Sequence, residues 1–190
     1  MICMSHCLVY IPRRAFCVNH HVRLGARTKL HFYTHIPKQI SDDNTLCVIT
    51  LSPAQLTTLQ HHAEACYPNE ACALIIGRSD ANKKITDEVV IVENAWQNDM
   101  GHSQRDRYLI APSDIARVDR AASQHNLDLI GVFHSHPDHP SQPSATDLAQ
   151  AWPEISYLIA AVYAGRVTTL QSWVLQDEVF VEETLRSHEP

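Results

Sequence analysis

The apolar run Leu127–Phe133 leads into His134-Ser135-His136, and a proline-rich loop, Pro137–Pro143, then carries the chain into Ser144-x-x-Asp147. No other stretch restricts the fold as much, because each of its parts dictates a conformation. On an extended strand, residues i and i+2 point to the same face about 7 Å apart at Cα. His134 and His136 can therefore converge on one ion while Ser135 points away, which argues against Ser135 as a nucleophile activated by a neighbouring histidine. Ser144-x-x-Asp147 is the capping pattern of a helix start, with an acid in the first turn. Three prolines lower the entropy lost when the loop is fixed, so the helix start can return to the strand end with Asp147 as a third ligand. Two imidazoles and one carboxylate form a three-ligand set typical of catalytic zinc, with a fourth position left for water. With a single anionic ligand, such a site keeps positive charge for a developing oxyanion.

The remaining elements follow from local signals. Leu46–Ser52 has the composition of a short strand, and Ser52 with Pro53 opens a helix to about Cys66, with Leu56 and Leu59 on its apolar face. Glu70–Gly77 and Ile85–Asn94 predict two further strands. Ala95–Arg107 is polar and predicts a mobile linker. Ser113 is the expected N-cap of a second helix reaching about His125, with Ile115, Val118 and Ala122 inward, followed directly by the strand Leu127–His136. After a short helix from Ser144, three strands joined by tight turns at Gly165 and Asp177 complete the pattern. Strands outnumber helices and the last hairpins are antiparallel. The expected class is α+β (α/β-like), with a mixed, largely antiparallel β-sheet flanked by helices.

Charge divides the chain. Residues 1–40 carry six basic side chains and no acid, whereas 41–190 carry nine basic and 21 acidic ones, a net −12. An acidic body repels phosphate backbones, so no nucleic acid is the expected partner of the main domain. No apolar run approaches the ~20 residues of a membrane helix, so no membrane role is expected either. The six cysteines lack the dense spacing of a disulfide scaffold, and no secretory pattern opens the chain, so the expected location is cytoplasmic. Residues 1–45 show no sustained periodicity. A metal site from Cys3, Cys7, Cys17 and His20 or an Arg-rich transit segment is set against a disordered extension or misassigned start, and the last is the expectation.

A zinc hydrolase also needs a general base. Asp138 and His139 lie on the loop and Glu154 follows Pro153, positions where solvation is the simpler expectation. Glu70 opens an apolar strand and shares a face with Cys72, Leu74 and Ile76, which makes it the better candidate. "HHAEAC", His61–Cys66, lacks the His-Glu-x-x-His order of a helical zinc site and is expected to be a solvated helix face; Cys72 is expected to be a buried thiol.

Together, Glu70 within "YPNEACALIIG" and His134-x-His136-x7-Ser144-x-x-Asp147 resemble the JAMM (MPN-plus) metallopeptidases, most closely the compact single-domain prokaryotic type. The resemblance covers about residues 46–185; Ala73 stands where related chains often have Gly, residues 1–45 have no counterpart, and 186–190 form a tail. It implies an MPN/JAB (cytidine-deaminase-like) fold and one zinc ion per chain on His134, His136 and Asp147. It further implies Glu70 as the proton-transferring residue and Ser144 as a donor to the oxyanion. The implied activity is hydrolysis of an amide bond at the C-terminal tail of a ubiquitin-like or sulfur-carrier protein. Two rivals remain: a non-catalytic MPN scaffold, which typically lacks a ligand, and a DNA-associated protein similar to the RadC family, which the acidic body disfavours.

Overall fold

The computed structural model describes residues 47–80, 82–99 and 101–187. The expected extension 1–45, including the candidate ligands Cys3, Cys7, Cys17 and His20, lies outside the described residues. Seven strands and three helices follow in the order β1 (Val48–Leu51), α1 (Pro53–Cys66), β2 (Cys72–Asp80), β3 (Lys83–Val92), α2 (Pro112–Gln124), β4 (Asp128–Pro137), α3 (Ala145–Gln150), β5 (Ser156–Tyr163), β6 (Arg166–Gln176) and β7 (Val179–Ser187). β7 thus continues through Arg186 and Ser187, two residues past the expected domain end.

The strands close into a barrel in the order β1-β3-β2-β4-β5-β6-β7. This corrects the expected α+β architecture of a mixed, largely antiparallel sheet flanked by helices. β1 closes the ring by pairing in parallel with β3 on one side and β7 on the other, and β4 pairs in parallel with β5, so three of the seven pairings are parallel. The hairpin signals of the sequence report only neighbouring antiparallel strands such as β5-β6 and β6-β7. The closing strand pairs Val48 with Lys83 on one side and with Thr184 on the other, and no local pattern encodes either contact.

Alternation along the strands sorts the apolar residues into two cores. One gathers Ile49, Leu51, Ala73, Ile75, Phe133, Leu158 and Val162 with Leu59 and Ala63 of α1. The other packs Cys72, Leu74, Ile76, Leu129 and Val132 against Ile115, Val118 and Ala122 of α2. Helix α1 begins as its sequence predicts, in a capping box: the Gln55 N–H donates to Ser52 Oγ and the Ser52 N–H to Gln55 Oε1. Helix α2 starts two residues earlier than predicted. Pro112 takes the first helical position and moves the N-cap to Ala111, which has no capping side chain, leaving Ser113 inside the first turn.

The β6-β7 connection is a two-residue turn with Asp177 and Glu178 at φ 47° and 63°, and the β5-β6 connection places Ala164 and Gly165 at 49° and 76°. Such turns match the right-handed twist of paired strands. No helix among the described residues is long and apolar enough to cross a membrane.

Candidate metal centre

Strand β4 lies between β2 and β5, and its C-terminal end carries the two histidines. In the β2-β4 register Cys72 faces His134, so the residue two before Cys72, Glu70, comes opposite His136. Two bonds extend this pairing beyond the strand: the Ser135 N–H donates to Ala71 O at 3.1 Å, and the Ala71 N–H to Ser135 Oγ at 2.9 Å. Ser135 therefore points away from the site, as alternation requires, and its hydroxyl ties the Glu70 side of β2 to the histidine strand.

His134 Nε2 and His136 Nε2 face each other at 3.0 Å. Asp147 Oδ1 lies 3.3 Å from the first nitrogen and Oδ2 3.6 Å from the second. All three residues are buried, and their ligand atoms lie within 4.8 Å of one another. Asp147 reaches this point from the first turn of α3, where the Ser144 N–H donates to Asp147 Oδ2 at 2.6 Å and the Asp147 N–H donates to Ser144 Oγ at 3.1 Å. One capping box thus orients the carboxylate, and the Ser144 hydroxyl, whose oxygen accepts from the Asp147 N–H, still carries a proton of its own.

The donor set suits zinc: borderline nitrogen and oxygen ligands, converging, with one ring tautomer fixed from behind. The Pro140 carbonyl can only accept, so His136 Nδ1 carries the proton it donates there at 2.8 Å, and the lone pair of the neutral ring sits on Nε2. His134 is oriented differently. Its Nδ1 has no hydrogen-bond partner among the described residues, and Tyr108 stacks on the ring at 4.4 Å and 19°.

Electrostatics separates the groups. Burial pushes the Glu70 carboxyl up to about 8, with the Asp147 and Asp106 charges adding to the rise and His136 opposing it. Burial alone would also raise Asp147, but its bonds to His134, His136 and Ser144 win and hold it well below the usual carboxylate range. Burial lowers His134. For His136 the same burial is outweighed by Asp147 and the Pro140 carbonyl, so its pKa rises.

A cavity of about 370 Å³ opens onto these groups and is lined by Glu70, His136, Ser144 and Asp147, with Trp96, Arg107 and Tyr108 on the segment before α2. The structure therefore brings together all five residues singled out in the sequence, Glu70, His134, His136, Ser144 and Asp147. Asp138, a loop residue set aside as a base, accepts from the Tyr67 hydroxyl and so helps hold the loop. His62, within the stretch expected to be a solvated helix face, is half-buried with Nε2 3.2 Å from Cys72 O, so one side of that face is in contact with β2.

Sequence reasoning missed the contribution of the segment between β3 and α2. In place of a mobile linker there is a hydrogen-bonded structure centred on Asn94, whose Oδ1 accepts from the Trp96 and Leu109 N–H groups and whose Nδ2 donates to Glu70 O and Arg107 O. Gln104 Nε2 adds bonds to Asn94 O and Trp96 O. An amide side chain that satisfies several backbone groups at once looks, in sequence, like any polar loop residue.

A closed barrel with a buried His-His-Asp cluster and an adjoining buried glutamate defines the class: a JAB-type domain with a candidate metal centre. Residues 53–176, which include every site residue, match the family of prokaryotic homologs of the JAB domain, and the chain belongs to that family. It is 31% identical over 102 residues to a desampylase of Haloferax volcanii, a match spanning 53% of this chain and 68% of the relative. Among solved structures, a protein from Desulfitobacterium hafniense aligns with a TM-score of 0.65 and 28% identity over 75% of this chain and 94% of its own. A protein from Salinibacter ruber aligns with a TM-score of 0.56 and 32% identity over 74% and 92%.

Proposed function

We propose that the protein is a zinc-dependent hydrolase that cleaves an amide bond at the C-terminal tail of a ubiquitin-like or sulfur-carrier protein. The observation that carries this reading is the convergence of His134, His136 and Asp147 within 4.8 Å at a cavity that also holds the buried Glu70. The likeness to a desampylase supports the choice of a modifier-like substrate.

His134, His136 and Asp147 would hold one zinc ion, which supplies Lewis acidity that acidifies water and polarises the scissile carbonyl. Burial raises the proton affinity of Glu70 in the metal-free chain; a bound cation's charge would favour its ionised form, and the carboxylate would then accept a proton from the attacking water and deliver it to the leaving amine. The Ser144 hydroxyl, whose oxygen already accepts from the Asp147 N–H, donates its own proton to the developing oxyanion. A Gly-Gly tail suits the cavity, since small side chains let an extended backbone bring its carbonyl to the histidines.

The test is metal analysis of the purified protein, with about one zinc per chain expected and loss of it in His136→Ala. Zinc-loaded protein is then incubated with carrier–cysteine and carrier–lysine conjugates and intact masses are followed. Cleavage of unrelated peptides but of neither conjugate would reject the carrier tail.

A further inference from the structure

Arg107 lines the cavity alongside Glu70, His136 and Asp147. Its place follows from what fixes its neighbours. The Asn94 amide donates to both Glu70 O and Arg107 O, so the two backbones run side by side, and the next residue, Tyr108, stacks on His134. The guanidinium is braced by its own segment: Nη1 donates to Asp106 O at 2.5 Å, and Nη2 to His102 Nε2 at 3.3 Å. The Asp106 carboxylate takes His102 Nδ1 at 2.5 Å and the Ser103 N–H at 2.9 Å, and also pairs with Arg107 Nη1 at 3.5 Å, so Asp106 occupies Nη1 while Nε and one N–H of Nη2 stay unpaired among the described residues. A guanidinium has five N–H groups in a planar fork matched to a carboxylate, and these contacts leave part of that fork unspent. Trp96 of the same segment also lines the cavity, and its buried indole N–H has no partner among the described residues.

We infer that Arg107 anchors the α-carboxylate of the amino acid on the leaving side of the scissile amide, so that the enzyme prefers a tail capped by an α-linked amino acid over one joined to a lysine side chain. This inference rests on the hydrolase reading above. Glu70 returns its proton to the leaving nitrogen, so the leaving group lies on the Glu70 side of the cavity, where Arg107 is. In an α-linked amino acid the carboxylate carbon is two bonds from that nitrogen. In a lysine conjugate the nitrogen is followed by four methylenes, which leave the guanidinium without an anion. In the step itself the C–N bond breaks and the water oxygen bonds to the glycine carbonyl carbon, yielding a carboxylate and an ammonium. A charge-assisted bond of this kind corresponds to a preference of about 10- to 100-fold.

The experiment compares a Gly-Gly-Ala peptide with a free C-terminal acid and the same peptide as its carboxamide. Binding to the zinc-loaded Glu70→Gln protein is measured by calorimetry, and again after adding Arg107→Met or Arg107→Lys. The acid should bind about 10- to 100-fold more tightly, the ratio should fall toward one with Arg107→Met, and Arg107→Lys should keep part of it. Because a ratio is read, the amount of folded variant does not affect the outcome. Equal affinities with Arg107 intact, or an unchanged ratio with Arg107→Met, would overturn the inference. Hydrolysis of carrier conjugates, followed separately with the unsubstituted protein, tells the two ideas apart. Hydrolysis without an acid preference removes the role of Arg107 and leaves the hydrolase; an acid preference without hydrolysis keeps Arg107 as a carboxylate anchor and removes the hydrolase.

Discussion

Glu70 is 7% exposed, and a carboxyl held away from water resists ionisation. Its folded-state pKa of about 8 stands above the unfolded value of about 4.5, so between these values the folded protein holds a proton that the unfolded chain has released. Its contribution to stability is therefore full below pH 4.5 and is lost as the pH climbs through 8. Glutamine does not titrate. In chelator-treated protein, Glu70→Gln should raise stability by an amount that grows from pH 4.5 to 8 and then levels off, on the order of 1–4 kcal/mol. Denaturant unfolding at pH 5 and pH 8 checks this, and equal gains at both would contradict it; the same variant should keep zinc and lose hydrolysis. Tyr108 offers a second test at this scale. Since stacking takes the place of a hydrogen bond in orienting His134, Tyr108→Leu should weaken zinc binding about 10-fold or more in a competition titration.

Helices α1 and α2 begin at superficially similar Ser and Pro pairs, and the order of the two residues separates them. Ser52 precedes its proline and caps the helix, so Ser52→Ala should cost about 1 kcal/mol. Ser113 follows its proline and caps nothing, so Ser113→Ala should change the unfolding midpoint little. The segment between β3 and α2 depends on Asn94, which bonds four backbone groups. Asn94→Ala should destabilise the protein by about 2–4 kcal/mol and speed hydrogen exchange at the Trp96 and Leu109 amides; unchanged protection there would show that the segment is held by something else. These cases mark what the sequence could disclose. Caps, alternation and the His-x-His and Ser-x-x-Asp spacings act within a few residues and can be read directly. Tyr108, Asn94 and Arg107 reach the site through long-range contacts, and nothing adjacent to them in the chain distinguishes them.

Closure of the barrel was hidden for the same reason, since β1 is four residues long and meets both its partners across large sequence distances. It leaves a physical trace in a buried polar cluster. Lys84 of β3 donates to Ser156 Oγ of β5 at 2.9 Å and lies 3.7 Å from Glu183 of β7, which accepts from Ser172 Oγ of β6 at 2.7 Å. Four strands thus meet in one cluster whose charges have little access to water. Removing one charge strands the other, so Lys84→Met should cost about 3–5 kcal/mol, and adding Glu183→Leu should restore much of it. A double-mutant cycle measured by denaturant unfolding checks the coupling; additive losses would mean that the pair does not act as a unit.

The loop between His136 and Ser144 is fastened along its length. The Asp138 N–H donates to Val162 O, Ser141 Oγ to Gln171 Oε1, and the Trp173 indole to Ser141 O, while three prolines stiffen the intervening chain. A cation that joins strand end to helix start therefore cross-links two points already held in register. Its uptake should resemble a key entering a cut lock: a small heat-capacity change, a favourable enthalpy from new bonds to nitrogen and oxygen, and an association rate governed by ion dehydration rather than by rearrangement of the polypeptide.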